Sequence, residues 1–331
     1  MLNRCTADGR RALTRGLTLV VSLVCLGLSV MTSPYAYAAP GPCSEQRYWL
    51  ASADGGVFTF GCAPYLGSMA STHLAAPVVA MTSDDQDGYR MVASDGGVFT
   101  FGIDQFFGSM AGTKLTAPIS GMASVGKGSA GGYWLVGTDG AVYAFGAAKY
   151  LGRTVYGSTC GSSCSREGSP IALAPIVGIA STSDGRGYWL TSADGGVYTF
   201  GDAIFYGSMS GHPLAAPVRG IAATQDGSGY WLLGQDGGVF AFGDAAFYGA
   251  ATSQSQQHSF VAMAVAPQVH PCSSPPYSGP TQGYWITDPR GDALSFGDAE
   301  QDGSASSLTL AAPMVAIASP PEQVNCGIPS V

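Results

Sequence analysis

The chain has 331 residues, 46% of them hydrophobic and 11% charged, with 48 glycines and a net charge of −8. Four of its basic residues precede residue 39, so residues 39–331 carry 10 basic and 21 acidic groups, a net charge of −11. Such a balance argues against nucleic acid and anionic membrane as partners, because both need a basic footprint, and leaves cations and neutral glycans.

In chain order, the first element is an export signal over residues 1–38. Arg4, Arg10, Arg11 and Arg15 form a basic head, Leu17 to Met31 an apolar run, and Ala36, Tyr37 and Ala38 a small-residue cleavage site. The run is shorter than the ~20 residues a spanning helix needs, so no transmembrane anchor is expected after cleavage. Cys25 lies inside the apolar run behind Leu23 and Val24, which is no lipidation context, and the pair Arg10 and Arg11 is a weak sign of twin-arginine export. Beyond the signal stand Cys43, Cys62, Cys160, Cys164, Cys272 and Cys326, an even number that reads as disulfides in an exported protein.

From residue 48 onward one motif recurs six times. Its clearest copy runs Tyr188, Trp189, Leu190, then Asp194, Gly195, Gly196, Val197, Tyr198, Thr199, Phe200, Gly201, then Phe205, Tyr206, Gly207, and finally Ala216, Pro217, Val218 with Ile221 and Ala222. The leading tyrosine falls at 48, 89, 133, 188, 230 and 284, in steps of 41, 44, 55, 42 and 54 residues. That base period is the ~40–45 residues of a four-stranded propeller blade, with two insertions of about a dozen residues. The Tyr-Trp-Leu and Val-aromatic runs predict a hairpin across Asp-Gly-Gly, where glycine accepts positive φ and aspartate caps the turn. A third strand is expected at the aromatic pair before Gly-Ser, as at Phe106 to Ser109, and a fourth at Ala-Pro-Val-x-x-Ile-Ala.

One unit cannot bury its aromatic face alone, so neighbours must stack, and closing the array protects its edges. The first unit lacks an Ala-Pro strand before Tyr48, whereas the last ends with an extra one, Ala312 to Ala318. The expectation is therefore all-β: a single domain over 39–331, a six-bladed β-propeller of four-stranded antiparallel blades, closed by a C-terminal strand completing the first blade. Closure suggests Cys43 with Cys326 as a seal across the termini, Cys62 with Cys272 between adjacent blades, and Cys160 with Cys164 as a local ring. The cysteine count alone leaves the connectivity open.

Taken together, Gly-Tyr-Trp-Leu, Asp-Gly-Gly-Val-Phe, Phe-Gly-Asp-Ala, aromatic-Gly-Ser, Pro-Val and Ile-Ala resemble tandem repeats of exported actinobacterial proteins, which often accompany cell-wall hydrolase or esterase domains. The resemblance covers about 44–319 and implies an extracellular propeller with a cell-envelope role, without supplying a catalytic residue. The sixth unit departs from the pattern, with Arg290, Gly291 and Asp292 at the turn, and the second has Arg90 where tryptophan is expected. Ser52, Asp54 and Gly56 also resemble the Asp box of sialidase-like propellers, but the following aromatic is out of register, so the turn is read as structural.

Trp49, Trp134, Trp189, Trp231 and Trp285 occupy one repeat position and are read as packing between blades, not as sugar platforms. Asp54, Asp95, Asp139, Asp194 and Asp236 are read as turn acceptors. Asp202, Asp244 and Asp298 are where calcium would be sought, although no Asp-x-Asp-x-Asp-Gly loop makes it specific, and no cofactor is expected. No Gly-x-Ser-x-Gly occurs, and His73, His212, His258 and His270 lack metal-ligand spacing. No catalytic residue is assigned. Ligand-binding candidates are the insertions at 152–170 and 252–282, where the repeat is broken. The leading expectation is a secreted or cell-wall-associated, monomeric, non-catalytic binding or scaffolding module that recognises a cell-wall glycan or an extracellular protein through one propeller face. The alternatives are an extracellular glycan or ester hydrolase with a carboxylate-lined central channel, and a purely structural surface protein.

Overall fold

A computed structural model of the protein describes residues 46–83, 88–125, 131–156, 170–252, 259–267 and 282–320. The export signal at 1–38, Cys43, Cys160, Cys164, Cys272, Cys326, His258 and His270 lie outside the described residues. No helix among the described residues is long and apolar enough to cross a membrane.

The strands are β1 (Arg47–Ser52), β2 (Val57–Gly61), β3 (Val78–Ser83), β4 (Tyr89–Ala93), β5 (Val98–Phe101), β6 (Ile119–Ser124), β7 (Gly132–Gly137), β8 (Val142–Gly146), β9 (Val155–Tyr156) and β10 (Ile171–Ala172). They continue with β11 (Ile176–Ser181), β12 (Gly187–Ser192), β13 (Val197–Gly201), β14 (Val218–Ala223), β15 (Gly229–Gly234), β16 (Val239–Gly243), β17 (Ala262–Val265), β18 (Gly283–Thr287), β19 (Ala293–Gly297) and β20 (Met314–Ala318). Five three-stranded antiparallel sheets are contiguous in sequence: β3-β4-β5, β6-β7-β8, β11-β12-β13, β14-β15-β16 and β17-β18-β19. The remaining one, the first sheet in repeat order, is β2-β1-β20, completed from the far end of the chain, with Leu50 opposite Ile317. A short parallel pair, β9 and β10, stands apart.

Each sheet has an inner, a central and an outer strand. The inner strands contact one another in the order β20, β3, β6, β11, β14, β17, and β17 meets β20 again. Hydrogen bonds follow the same circuit. The first N–H of each inner strand, at Val78, Ile119, Ile176 and Val218, donates to the preceding sheet's hairpin turn at Ala53, Ser94, Thr138 and Ala193. Phe260 donates to Gln235 in the same way, and Met314 to Pro289 closes the series. The prolines that open these strands, Pro77, Pro118, Pro175, Pro217 and Pro313, need no donor of their own there.

Side chains join sheet to sheet by the same rule. All five tryptophans of the central strands are fully buried, as expected from their repeat position. Each meets the tyrosine of the next sheet: Trp49 with Tyr89 (ring centroids 5.3 Å apart), Trp134 with Tyr188, Trp189 with Tyr230, Trp231 with Tyr284, and Trp285 with Tyr48 at 5.0 Å. A pair of this kind adds about 0.5–1.5 kcal/mol beyond the area it buries. Within a sheet the tyrosine lies across the hairpin from an outer-strand phenylalanine, as Tyr188 does from Phe200.

The expected strand at the aromatic pair does not form among the described residues, so each sheet has three strands where four were expected. Two causes are visible. The glycine after the pair is held at positive φ, 130° at Gly67 and 137° at Gly207, which breaks an extended run. Its backbone partners are also side chains of the neighbouring sheet and not a ladder: Tyr89 Oη donates to Gly67 O at 2.6 Å and accepts from Leu66 N at 3.3 Å. The same clamp recurs from Tyr133 to Gly108, Tyr188 to Gly152, Tyr230 to Gly207, Tyr284 to Gly249 and Tyr48 to Gly303. A Cβ on Gly67 would stand 2.7 Å from the Phe101 ring, so the approach requires glycine.

Candidate functional site

Antiparallel alternation sorts the turns into two ends. One end holds the hairpin turns between central and outer strands, and the other holds the turns that leave the inner and the outer strands. This separates what the sequence joined. The candidate span 252–282 is not one loop, because β17 runs through it; its residues 253–258 and 268–281 lie outside the described residues. The candidate span 152–170 contains β9, and its residues 157–169 lie outside the described residues.

At the hairpin end the repeated aspartates act as turn acceptors. Asp54, Asp95, Asp139, Asp194 and Asp236 each take the N–H two residues on, at 3.0–3.3 Å. Gly55 sits at φ 82°, and a Cβ there would stand 2.6 Å from the Cβ of Met69, whose N–H bonds to Gly55 O. In the sixth sheet the acceptor is Asp288, which takes the N–H groups of Arg290 and Asp292 at 2.9 Å each and pairs with Arg290. The sequence marked this turn as irregular without naming Asp288, since the aspartate stands two places earlier than in the other units. His73 and His212 are exposed on matching connections at this end.

The other end carries the perturbed carboxylates. In the fourth sheet Thr182 Oγ1 takes Gly187 N–H at 2.9 Å and donates to Asp184 at 2.8 Å, and Asp184 also accepts Arg186 N–H at 3.1 Å. Those donors hold Asp184 below the usual carboxylate range. Asp202, from the turn after the outer strand, shares a hydrogen bond with Asp184 and is raised, by desolvation first and by the Asp184 charge second. The fifth sheet repeats the arrangement with Thr224, Asp226, Ser228, Gly229 and Asp244. Burial opposes ionisation of Asp226, but Thr224, Ser228 and the bond to Asp244 outweigh it, while burial and Asp226 raise Asp244. Ser183 Oγ donates to Asp226 O at 3.1 Å and links the two turns. Each turn pair thus sets one lowered carboxyl beside one raised carboxyl. Among the described residues no three or more His, Cys, Asp or Glu side chains gather as a metal set. Asp184 and Asp226 escaped the sequence reading; the matching Thr-x-Asp-x-x-Gly strings at 182–187 and 224–229 were the available signal.

Asp298 occupies a different setting. Gln46 Nε2 donates to its carbonyl at 2.9 Å and Gln46 Oε1 accepts from Glu300 N at 2.6 Å, which ties the lead-in to β1 onto the sixth sheet. Cys62 is disulfide-bonded, and its partner lies outside the described residues.

The second sheet holds a buried ion pair. Arg90 stands at the tryptophan position and meets Asp104 at 3.1 Å, with the side chains 2% and 0% exposed. Arg90 Nε donates to Gln105 O, fifteen residues on, the same offset at which Trp189 Nε1 donates to Ile204 O. Its guanidinium lies 5.4 Å from the centre of the Tyr133 ring, and Nη1 reaches Ser124 Oγ at 3.3 Å. The guanidinium is thus held on several sides, and the pair is buried within the frame.

No family model matches the chain, and no curated protein matches it. Among solved structures it is similar to the β-propeller domain of Cps50 (Swd1) from Myceliophteria thermophila, at 10% identity over 77% of this chain and 84% of that one, with a TM-score of 0.39. The blade-like arrangement described above rests on this chain's own strand pairing and contacts.

Proposed function

We propose that the six sheets are the blades of a six-bladed propeller, that the protein is exported and cell-envelope associated, as the repeat's actinobacterial resemblance implies, and that it is a non-catalytic binding or scaffolding module. It recognises a glycan or an extracellular protein through one face. The observation that carries this reading is the employment of the repeated residues. The tryptophans, tyrosines and turn aspartates are all engaged in joining strands and sheets. Specific recognition then falls to the segments where the repeat is broken, within 152–170 and 252–282. The disulfides Cys43–Cys326, Cys62–Cys272 and Cys160–Cys164 belong to the same proposal, as staples of the closure and of the first insertion.

The test replaces residues 268–281, and separately 157–169, by the short turns of the repeat, and measures retention of residues 39–331 on purified cell-wall material. Retention lost with one replacement supports recognition through that segment. Retention unchanged by both sinks it. The hydrolase reading is favoured only by the split carboxylate pairs. It requires a turnover of glycan or ester that disappears in Asp244→Asn.

A further inference from the structure

In five repeats the two residues before the positive-φ glycine divide their labour: the first is aromatic in all five, and the second is aromatic in three and leucine, Leu66 and Leu151, in two. In the fifth repeat the second ring, Tyr248, is half-buried and lies 5.9 Å from the Tyr284 ring of the next sheet. The first ring is left in solvent: Tyr65 is 46% exposed, Phe106 53%, Tyr150 59%, Phe205 57% and Phe247 60%. Each follows an outer strand, the strand farthest from the ring of inner strands, so the five stand at equivalent places on the periphery of five successive sheets. Packing does not require them there, since the neighbouring tyrosine is already met by the residue that follows the exposed ring, through Leu66 N and Leu151 N in the first and third repeats, and by the phenylalanine of its own outer strand. The sixth sheet has Gln301 instead, with Nε2 donating to Ala293 O on the outer strand at 2.9 Å. The rings therefore form an arc with one gap, at the sheet after which the circle closes.

We infer that this arc is a stacking platform for a neutral polysaccharide, a site on the periphery separate from either face. Three features select that occupant. The rings stand one to a sheet, with the exposed Ile103 and Ile204 near two of them in sequence, whereas a protein partner of ordinary size needs a continuous apolar patch and about 800 Å² per side. A polymer offers the same apolar sugar face again and again, so rings repeated at a fixed interval act together by multivalency. The surrounding charge, −11 over residues 39–331, repels anionic polymers and leaves neutral ones.

The test is affinity electrophoresis of the protein through gels containing dextran, mannan or laminarin, with alginate as the anionic control. The proposal expects retardation by at least one neutral polymer, insensitive to salt, and none by alginate. Tyr150→Ala, Phe205→Ala and Phe247→Ala weaken it by roughly threefold to tenfold per ring, the range set by an aromatic contact. Gln301→Tyr fills the gap and strengthens it. Unchanged melting and near-ultraviolet dichroism show that these exposed changes spare the frame. Absence of retardation by every neutral polymer, equal retardation by alginate, or retardation unaffected by the triple alanine variant overturns the inference. So does self-association in sedimentation that vanishes in the triple variant, which assigns the rings to contact between copies. Variants replacing 157–169 or 268–281 keep the retardation, so failure here and failure of face recognition are told apart.

Discussion

The fourth and second sheets solve the same packing problem with opposite chemistry. In the fourth, the Trp189 indole fills the space towards Tyr230, and Ala203 supplies the small neighbour after the outer strand. In the second, Arg90 replaces the tryptophan and Asp104 stands at the alanine position, so that the charge brought in by one is cancelled by the other. Both central-strand side chains still reach a carbonyl fifteen residues on and still cover the next sheet's tyrosine. The comparison teaches that the frame specifies a volume, a donor and an aromatic contact at this place, and that two positions distant in sequence form one unit of exchange.

The largest effect expected comes from splitting that unit. Asp104→Ala leaves a buried, uncompensated guanidinium and costs about 3–5 kcal/mol in urea unfolding. Arg90→Trp combined with Asp104→Ala restores the fourth-sheet solution and recovers the loss, because a well-packed apolar replacement of a buried pair is neutral or stabilising. A double variant as unstable as the single one would break the comparison. A smaller effect sharpens it: Tyr230→Phe strands Gly207 O and Tyr206 N, which the phenol serves at 2.6 and 3.2 Å. The expected loss is about 1–3 kcal/mol, with a similar loss for Tyr133→Phe despite its charged neighbour. The smallest is a pH effect. Burial raises the clamp tyrosines, Tyr188 to about 12 from an ordinary value of 10.0. The folded state then holds protons that the unfolded chain releases, so the clamps' contribution is complete below pH 10 and is lost as pH rises towards 12. Melting temperature should fall across that window in the wild type and less steeply in a protein carrying Tyr230→Phe.

Much of this was legible in the sequence because a repeat states its own period. The six tyrosines mark the central strands, the missing and extra Ala-Pro segments mark the split sheet, and Asp-Gly-Gly marks the hairpins. What escaped was whatever depends on partners from different elements. The aromatic pair has the composition of a strand, but positive φ at its glycine and bonding to another sheet's tyrosine decide otherwise. Arg90 stood out as a departure, whereas Asp104 did not, since its meaning depends on facing Arg90. The Asp184–Asp202 and Asp226–Asp244 pairs each join two turns with a hairpin between them, so neither shows as a motif. The exposed ring of the aromatic pair reads in sequence like its buried neighbour, and accessibility alone separates them.

One consequence of β20 concerns time. A ribosome delivers β1 and β2 first, yet their third strand arrives only after the other five sheets have been made. Until then that hairpin is a two-stranded fragment of marginal stability, with the inner edge of β1 unpaired. The five contiguous sheets can order as they emerge, but the circuit has no closing contact before Met314–Ala318 docks. Completion of the first sheet is thus a late event in the order of synthesis, set by how far Met314–Ala318 lies from Arg47–Ser52 along the chain.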